Sequence, residues 1–281
     1  MRVVRILAVR RIYPKVAEND KRTAVAAFPD CFFSDMVPPP SNDLTAAYER
    51  DGVVFIPAFL TPAEVAEVRS ELERYIRDDL ASKPPDARTL ERDDKTVRNL
   101  WRLEQHNDFF RRLAEREDIR TLVAALVHGE PMLAGVETFN KPALIGSGVP
   151  HHQDNAYFCQ TPPDMLTVWI AIDAVTQANG PVFFLPGSHR EGMKPTKPSG
   201  VRGNSIGLAE IPAVKLEEQI CGLLEPGDAT IHHCETIHHS APNTTPHSRL
   251  GLLLVYRGRH TETDPALREA YLAAVQATPP A

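Results

Sequence analysis

Apolar residues recur every three or four positions in several stretches of the chain, and this spacing predicts helices. The first helix, over about residues 61 to 79, opens at Thr61 with a capping box completed by Glu64 and with proline at the first helical position. A second helix is predicted over about residues 107 to 128. A third is predicted over about residues 264 to 276, near the C-terminus.

From about residue 131 the apolar positions form short runs separated by Asn-Gly, Pro-Gly and Pro-Asn pairs, a pattern typical of strands and turns. The predicted strands cover residues 132–139, 167–172, 181–185, 229–232 and 250–256. Many short strands favour a sandwich or a jelly-roll barrel. Because the helices precede the strands, we expect them to pack against the outside of one barrel. The predicted fold class is α+β, mainly β.

A proline run at residues 38–40 predicts a linker. We therefore expect an N-terminal extension over residues 1–41, partly disordered, and one folded domain over residues 42–281. Within that domain, residues 190–222 are weakly patterned and rich in Gly, Pro and Lys. A loop of this length in a compact domain is often functional, which predicts a lid-like insertion.

Composition narrows the class of protein. Hydrophobic residues make up 42% and charged residues 24%, as in soluble globular proteins. The net charge of −6 argues against a nucleic-acid partner, and the longest apolar runs are too short to cross a membrane. The 4 cysteines show no Cys-x-x-Cys spacing, which favours reduced thiols in a cytoplasmic compartment.

The first cluster with candidate chemistry is His151-His152-Gln153-Asp154. On an extended segment alternate side chains share a face, so His152 and Asp154 are predicted to point the same way. An imidazole and a carboxylate, completed by one more histidine, are the ligands of an open iron(II) site.

A second cluster combines four histidines with a cysteine and a glutamate: His232, His233, Cys234, Glu235, His238 and His239. Its spacing permits a zinc site made of histidine, cysteine and glutamate. It also permits one histidine to bind a metal while its neighbours orient that ligand or the substrate. The residues alone do not decide which of the four histidines is the third ligand.

The ordered motifs between Asp51 and Tyr256 resemble the phytanoyl-CoA dioxygenase family of Fe(II)/2-oxoglutarate oxygenases, over about 200 of the 281 residues. The matching elements are Asp51-Gly52-Val53-Val54, His152-Gln153-Asp154, Trp169, Asn179-Gly180-Pro181, Pro186-Gly187-Ser188-His189, Gly227-Asp228, His238, Ser240, Asn243 and Arg249. The resemblance implies a double-stranded β-helix, the cupin-like jelly roll, flanked by N-terminal helices. It also implies a dioxygenase that uses Fe(II), 2-oxoglutarate and O2.

The resemblance implies that His152, Asp154 and His238 are the catalytic residues and hold the metal. His239 occupies a position where the family usually has glycine, which indicates either a substrate contact or a shifted register. Related halogenases replace the carboxylate with a small residue. The presence of Asp154 therefore implies a hydroxylase and not a halogenase.

For the cosubstrate, the resemblance implies that Arg249 grips the distal carboxylate of 2-oxoglutarate, with help from Ser240. A guanidinium fork suits this task, although an arginine at this place could instead anchor a strand end. Lys141 is either a further cosubstrate contact or a solvated lysine at a strand end. Trp169 is either part of the cosubstrate wall or core packing.

Tyr157, Phe158 and Gln160 follow the first metal motif and are expected, with His239, to contact a small-molecule substrate, although core packing is an alternative for the first three. Two other functions stay open at this point. One is a non-oxidative, metal-dependent isomerase or hydrolase of cupin type. The other is a binding protein that keeps the barrel without catalysis.

Overall fold

The computed structural model describes residues 41–201 and 203–277, so residues 1–40 of the expected extension lie outside the described chain. Ser41 caps the first helix by accepting a hydrogen bond from the Leu44 backbone N–H. The helices are α1 (Asn42–Asp51), α2 (Pro62–Arg74), α3 (Leu103–His106), α4 (Asp108–Ala114), α5 (Glu117–Ala124), α6 (Asn155–Phe158) and α7 (Pro265–Ala277).

The capping box predicted at Thr61 is confirmed, because the Thr61 hydroxyl accepts from the Glu64 N–H while the Glu64 carboxylate accepts from the Thr61 N–H. The prediction of one helix over 107–128 was wrong, since the chain forms α4 and α5 with a break at Arg116. The apolar positions 113 and 119 lie six residues apart, a spacing that does not keep both on one helix face.

The strands are β1 (Val53–Ile56), β2 (Arg88–Leu90), β3 (Val97–Leu100), β4 (Pro131–Lys141), β5 (Val149–His152), β6 (Gln160–Thr161), β7 (Met165–Ala171), β8 (Val182–Phe184), β9 (Thr196–Val201), β10 (Asn204–Leu208), β11 (Ile220–Cys221), β12 (Ala229–His233), β13 (His238–Ser240), β14 (Arg249–Gly258) and β15 (Glu262–Thr263). The five predicted strands are present as β4, β7, β8, β12 and β14.

Two antiparallel sheets build the barrel. The larger has seven strands in the order β1-β12-β7-β14-β4-β3-β2, and the smaller has four in the order β11-β8-β13-β5. Their inner faces meet, as shown by the 4.8 Å between the ring centroids of His232 on the larger sheet and His238 on the smaller. This jelly-roll core with helices before it confirms the predicted α+β, mainly β fold class.

The larger sheet has two faces with different neighbours. Val168 and Ile170 of β7 belong to the main hydrophobic core, together with Phe110 and Leu122 from the helices. Trp169, between them in sequence, lies on the opposite face and lines an internal cavity. Burying each large apolar side chain contributes about 1.5–3 kcal/mol, so the helices stabilise the sheet from outside and leave its inner face for a site.

Residues 190–222, expected to form a lid-like insertion, contain the β9–β10 hairpin and the short strand β11, which pairs with β8. Val201 and Asn204, at the turn of the hairpin, line the internal cavity. None of the helices within the described ranges has the length and hydropathy needed to span a bilayer.

Candidate active site

Two histidines and one aspartate meet at one end of the four-stranded sheet. His152 ends β5, His238 begins β13, and the two residues pair across the antiparallel ladder. Asp154 follows in the turn before α6, and these three residues together form the candidate metal group. One ligand atom from each side chain lies within 4.8 Å of the others, and among the described residues no other group of three His, Cys, Asp or Glu side chains does so.

The local backbone at this group differs from the sequence prediction. The extended segment ends at His152, and Asp154 has helical dihedrals (φ −59°, ψ −31°) as the N-cap of α6. The two side chains converge because the chain turns after the strand, and not because they alternate along it. The sequence predicted that the His152 and Asp154 side chains lie together, but it attributed this to strand alternation, which was wrong.

Both histidines are held in one orientation by backbone carbonyls. His152 Nδ1 lies 2.9 Å from the Pro150 carbonyl oxygen, and His238 Nδ1 lies 2.9 Å from the Thr236 carbonyl oxygen. A carbonyl accepts a hydrogen bond, so each ring carries its proton on Nδ1 and presents the Nε2 lone pair. Burial lowers the pKa of His238 well below its usual value, which keeps this ring neutral and able to bind a metal.

The two oxygens of Asp154 have different neighbours. Oδ1 faces His152 Nε2 at 3.5 Å and His238 Nε2 at 3.6 Å. Oδ2 accepts hydrogen bonds from Thr167 Oγ1 and from His232 Nε2, each at 3.1 Å. Burial alone would raise the pKa of Asp154, but the surrounding imidazoles hold it well below the usual range, so the group is a carboxylate. One oxygen is thereby left to face a metal.

His232 was one of four candidates for the third ligand, and the structure gives it a different position. Its Nε2 binds the carboxylate, and its buried Nδ1 has no hydrogen-bond partner among the described residues. Groups that orient a ligand in this way typically contribute 10–100-fold to metal affinity. We therefore expect His232→Phe, which keeps a ring of similar size, to weaken Fe(II) binding by about 10–100-fold.

Anaerobic Fe(II) titration measures this effect. His247→Phe is the matched control, because His247 is exposed and lies outside the cavity. Equal Fe(II) affinity in the His232 variant and the control would remove His232 from any role in orienting the carboxylate.

Arg249 lies on the inner face of β14, lines the same cavity as the metal group, and is only 1% exposed. Its Nη2 donates to the Gly180 carbonyl oxygen at 2.6 Å, and its Nε has no partner among the described residues. The guanidinium stacks over the Trp169 ring at 4.9 Å. No carboxylate of the described chain forms a salt bridge with it. A buried cation without a counter-ion is costly, so the donor set fits a carboxylate supplied by a ligand.

Trp169 can lie beneath this guanidinium because the neighbouring strand carries glycine. A Cβ on Gly251 would lie 2.2 Å from a Trp169 ring carbon. Ser240 also lines the cavity and is buried. Its hydroxyl forms no hydrogen bond with the described protein atoms, which leaves it available to a bound ligand.

Lys141 pairs with Arg249 across the β4–β14 ladder. Its amine donates to the carbonyl oxygens of Ser147 and Ala241, and the residue is absent from the cavity wall. Burial, with Arg249 nearby, lowers the pKa of Lys141 to about 6. The lysine is therefore not the solvated strand-end residue that was one of its two interpretations.

The cavity has a volume of about 900 Å³, and its lining includes the metal group, Arg249 and Trp169. Tyr157 and Phe158, two predicted substrate contacts, also line it. The Tyr157 hydroxyl donates to the Ile206 carbonyl oxygen at 2.7 Å, which ties α6 to the hairpin. Gln160 is not on the cavity wall; its side chain bonds Thr261 and the Phe158 carbonyl.

His239 belongs to the other face of β13. Its ring stacks on His151 at 3.8 Å and on Phe183 at 5.2 Å, and its Nε2 lies 2.8 Å from Gln219 Oε1. The residue still borders the cavity. The histidine at the usual glycine position thus forms an aromatic stack, while His238 and Ser240 on either side of it face inward.

The zinc interpretation of the second cluster is not supported in the described residues. Cys234 is fully buried, packs against Met165 and Val255, and directs its thiol to the Pro163 carbonyl oxygen. Burial raises the pKa of this thiol well above its usual value, which disfavours the thiolate that zinc requires.

Sequence reasoning missed Glu137, which lines the cavity from β4. A signal was present, because Glu137 is the one charged residue in the predicted strand 132–139. A lone acidic residue within an apolar strand is unusual unless it has a partner or a function.

Comparisons with known proteins identify a matching family and similar sequences. The model of the phytanoyl-CoA dioxygenase (PhyH) family matches residues 48–251. An ectoine dioxygenase of Stutzerimonas stutzeri is 26% identical over 261 residues, which cover 87% of this chain and 86% of that protein. An L-proline trans-4-hydroxylase of Streptomyces griseoviridis is 27% identical over 260 residues, covering 85% and 95%.

Solved structures share the fold. EctD from S. alaskensis, with 2-oxoglutarate and 5-hydroxyectoine, superposes with a TM-score of 0.67 at 21% identity, covering 81% of this chain and 78% of that one. The epimerase SnoN from nogalamycin biosynthesis gives a TM-score of 0.63 at 25% identity, covering 79% and 85%. Because the family model spans well over half of the sequence, the chain belongs to the phytanoyl-CoA dioxygenase family of Fe(II)/2-oxoglutarate-dependent oxygenases.

Proposed function

We propose that this chain hydroxylates an unactivated C–H bond of a small-molecule metabolite, with His152, Asp154 and His238 as the ligands of Fe(II). The observation that carries the proposal is the two-histidine, one-carboxylate group in the same cavity as a buried arginine that forms no salt bridge with any described carboxylate. The first feature suits iron(II) with open positions. The second suits a cosubstrate that carries a carboxylate.

Arg249 would hold the distal carboxylate of 2-oxoglutarate, with Trp169 supporting the guanidinium and Ser240 adding a hydroxyl donor. The closely packed contact between Gly251 and Trp169 supports this arrangement, since it fixes the ring on which the guanidinium stacks. Lys141 would support the site by holding the loop that carries Ser147. Tyr157 and Phe158 would line the space for the substrate.

When bound, iron together with 2-oxoglutarate and O2 supplies the oxidising power, and the cosubstrate leaves as succinate and CO2. The protein's own residues position the reactants and exclude water. His232 and Thr167 keep one Asp154 oxygen directed at the metal position. The backbone carbonyls behind His152 and His238 keep both Nε2 atoms free of protons.

We further propose that the hairpin within residues 190–222 covers the cavity as a lid, supported by Val201 and Asn204 in the cavity wall. Cys159 and Cys234 are buried free thiols, which supports a reducing, cytoplasmic location.

The direct test is succinate release. Purified protein supplied with Fe(II), ascorbate and 2-oxoglutarate is expected to form succinate only in the presence of O2, and faster when its substrate is added. A non-oxidative cupin-type enzyme or an inactive binding protein would form none. Absence of O2-dependent succinate across a broad metabolite mixture would overturn the proposal.

A further inference from the structure

Glu137 lies on the inner face of the larger sheet. It pairs with Leu253 on β14, and Leu253 pairs in turn with Trp169 on β7, so the three side chains lie side by side across three strands. These residues line the same cavity as His152 and Asp154. The carboxyl group therefore shares the space in which a substrate must lie.

This carboxyl group has no hydrogen bond and no ion pair with any described residue. Glu104, whose negative charge also acts on Glu137, is used differently: its carboxylate accepts from the Val136 backbone N–H at 2.7 Å. Burial, together with the negative charges of Asp154 and Glu104, raises the pKa of Glu137 to about 8. None of the residues that the structure describes thus forms a hydrogen bond or ion pair that would stabilise the charge of Glu137.

The surroundings of Glu137 on the sheet are apolar. Leu253 lies directly opposite, Val255 pairs with Gly135 on the next row, and Phe139 follows on the same face of β4. A carboxylate on such a wall is poorly stabilised unless a partner of opposite charge or a donor is supplied. A polar group kept in an apolar wall of a ligand cavity is typically there to orient the ligand.

The cavity is also polarised. Arg249 pairs with Lys141 on β4, and Glu137 lies four residues away on the same strand. At about 3.3 Å per residue, the position of Arg249 and that of the Glu137 carboxyl group are roughly 13 Å apart along the strand. One end suits the carboxylate of a cosubstrate, and the other suits a positively charged group.

We propose that Glu137 binds a cationic nitrogen group, an amine, amidine or guanidine, of the substrate that is oxidised. The proposal rests on the proposed function, because it assigns the substrate class of that site. A cation there replaces the missing counter-ion and gives a charge-assisted hydrogen bond, which fixes the substrate relative to the metal group.

The test uses matched pairs of small probes that differ mainly in charge: benzylamine with benzyl alcohol, benzamidine with benzamide, and phenylguanidine with phenylurea. Binding is measured by calorimetry to protein loaded with Mn(II) and 2-oxoglutarate, without O2. In at least one pair the cation is expected to bind about 10-fold more tightly, corresponding to ~1.4 kcal/mol. Glu137→Gln is expected to abolish that preference.

Glu262→Gln is the matched control, because Glu262 is exposed on β15; it is expected to keep the preference. Equal affinities within every pair, or a cation preference that survives in Glu137→Gln, would overturn the proposal. Succinate release distinguishes this failure from failure of the oxygenase assignment. O2-dependent succinate without a cation preference removes only the role of Glu137.

Discussion

Asp154→Ala is expected to lower Fe(II) affinity by more than about 100-fold and to abolish O2-dependent succinate formation. Residues that only orient a metal ligand contribute 10–100-fold, so loss of the ligand itself should exceed that range. The substitution removes the oxygen that faces both imidazoles and the acceptor for Thr167 and His232.

Anaerobic Fe(II) titration and a succinate assay measure the two effects of Asp154→Ala. Asp43→Ala serves as the control, because Asp43 is an exposed carboxylate on α1. Retention of tight Fe(II) binding by the Asp154 variant would exclude this carboxylate from the metal site.

Arg249→Gln is expected to raise the 2-oxoglutarate concentration needed for half-maximal succinate formation by roughly 100-fold, since truncating a buried charge pair costs about 2–5 kcal/mol. Glutamine cannot form the paired hydrogen bonds of a guanidinium. Fe(II) affinity is expected to stay unchanged, because Arg249 makes no contact with His152, Asp154 or His238 among its described hydrogen bonds.

Arg69→Gln is the matched control for this second prediction. Its guanidinium is already paired, at 2.6 Å, with Asp173 and lies on the outside of the barrel, 40% exposed. An unaltered 2-oxoglutarate dependence in Arg249→Gln, or an equal change in the control, would contradict the assignment of the cosubstrate to this arginine.

Local patterns were sufficient for much of the fold. Capping at Thr61 and apolar periodicity predict α2, and short runs between turns predict the long strands of the larger sheet. The break at Arg116 was missed because the apolar pattern that ends at Leu113 and the one that begins at Ile119, six positions later, were read as a single helix. The short strand β13 was missed, and β5 was expected only as an extended segment whose end was misplaced, because each holds only three or four residues, among histidines and prolines.

The site was less predictable, because strand register determines it. His238 reaches the metal group through its pairing with His152, and His232 reaches Asp154 because it pairs with Thr167 in the neighbouring ladder. Neither register can be read from local sequence, so the family resemblance was needed to choose among four histidines. The sequence shows Glu137 as the one charged residue in an apolar strand. Its position in the cavity wall is what indicates a contact with a ligand.

The most direct test of the proposed metal site is the number of Fe(II) ions bound per chain in the protein and in two variants of adjacent residues. His238→Ala removes an inward ring, whereas His239→Ala removes the neighbouring ring of the outer stack. We expect one tightly bound Fe(II) in the unaltered protein and in His239→Ala, and none in His238→Ala. Tight binding that survives in His238→Ala but is lost in His239→Ala would contradict the site.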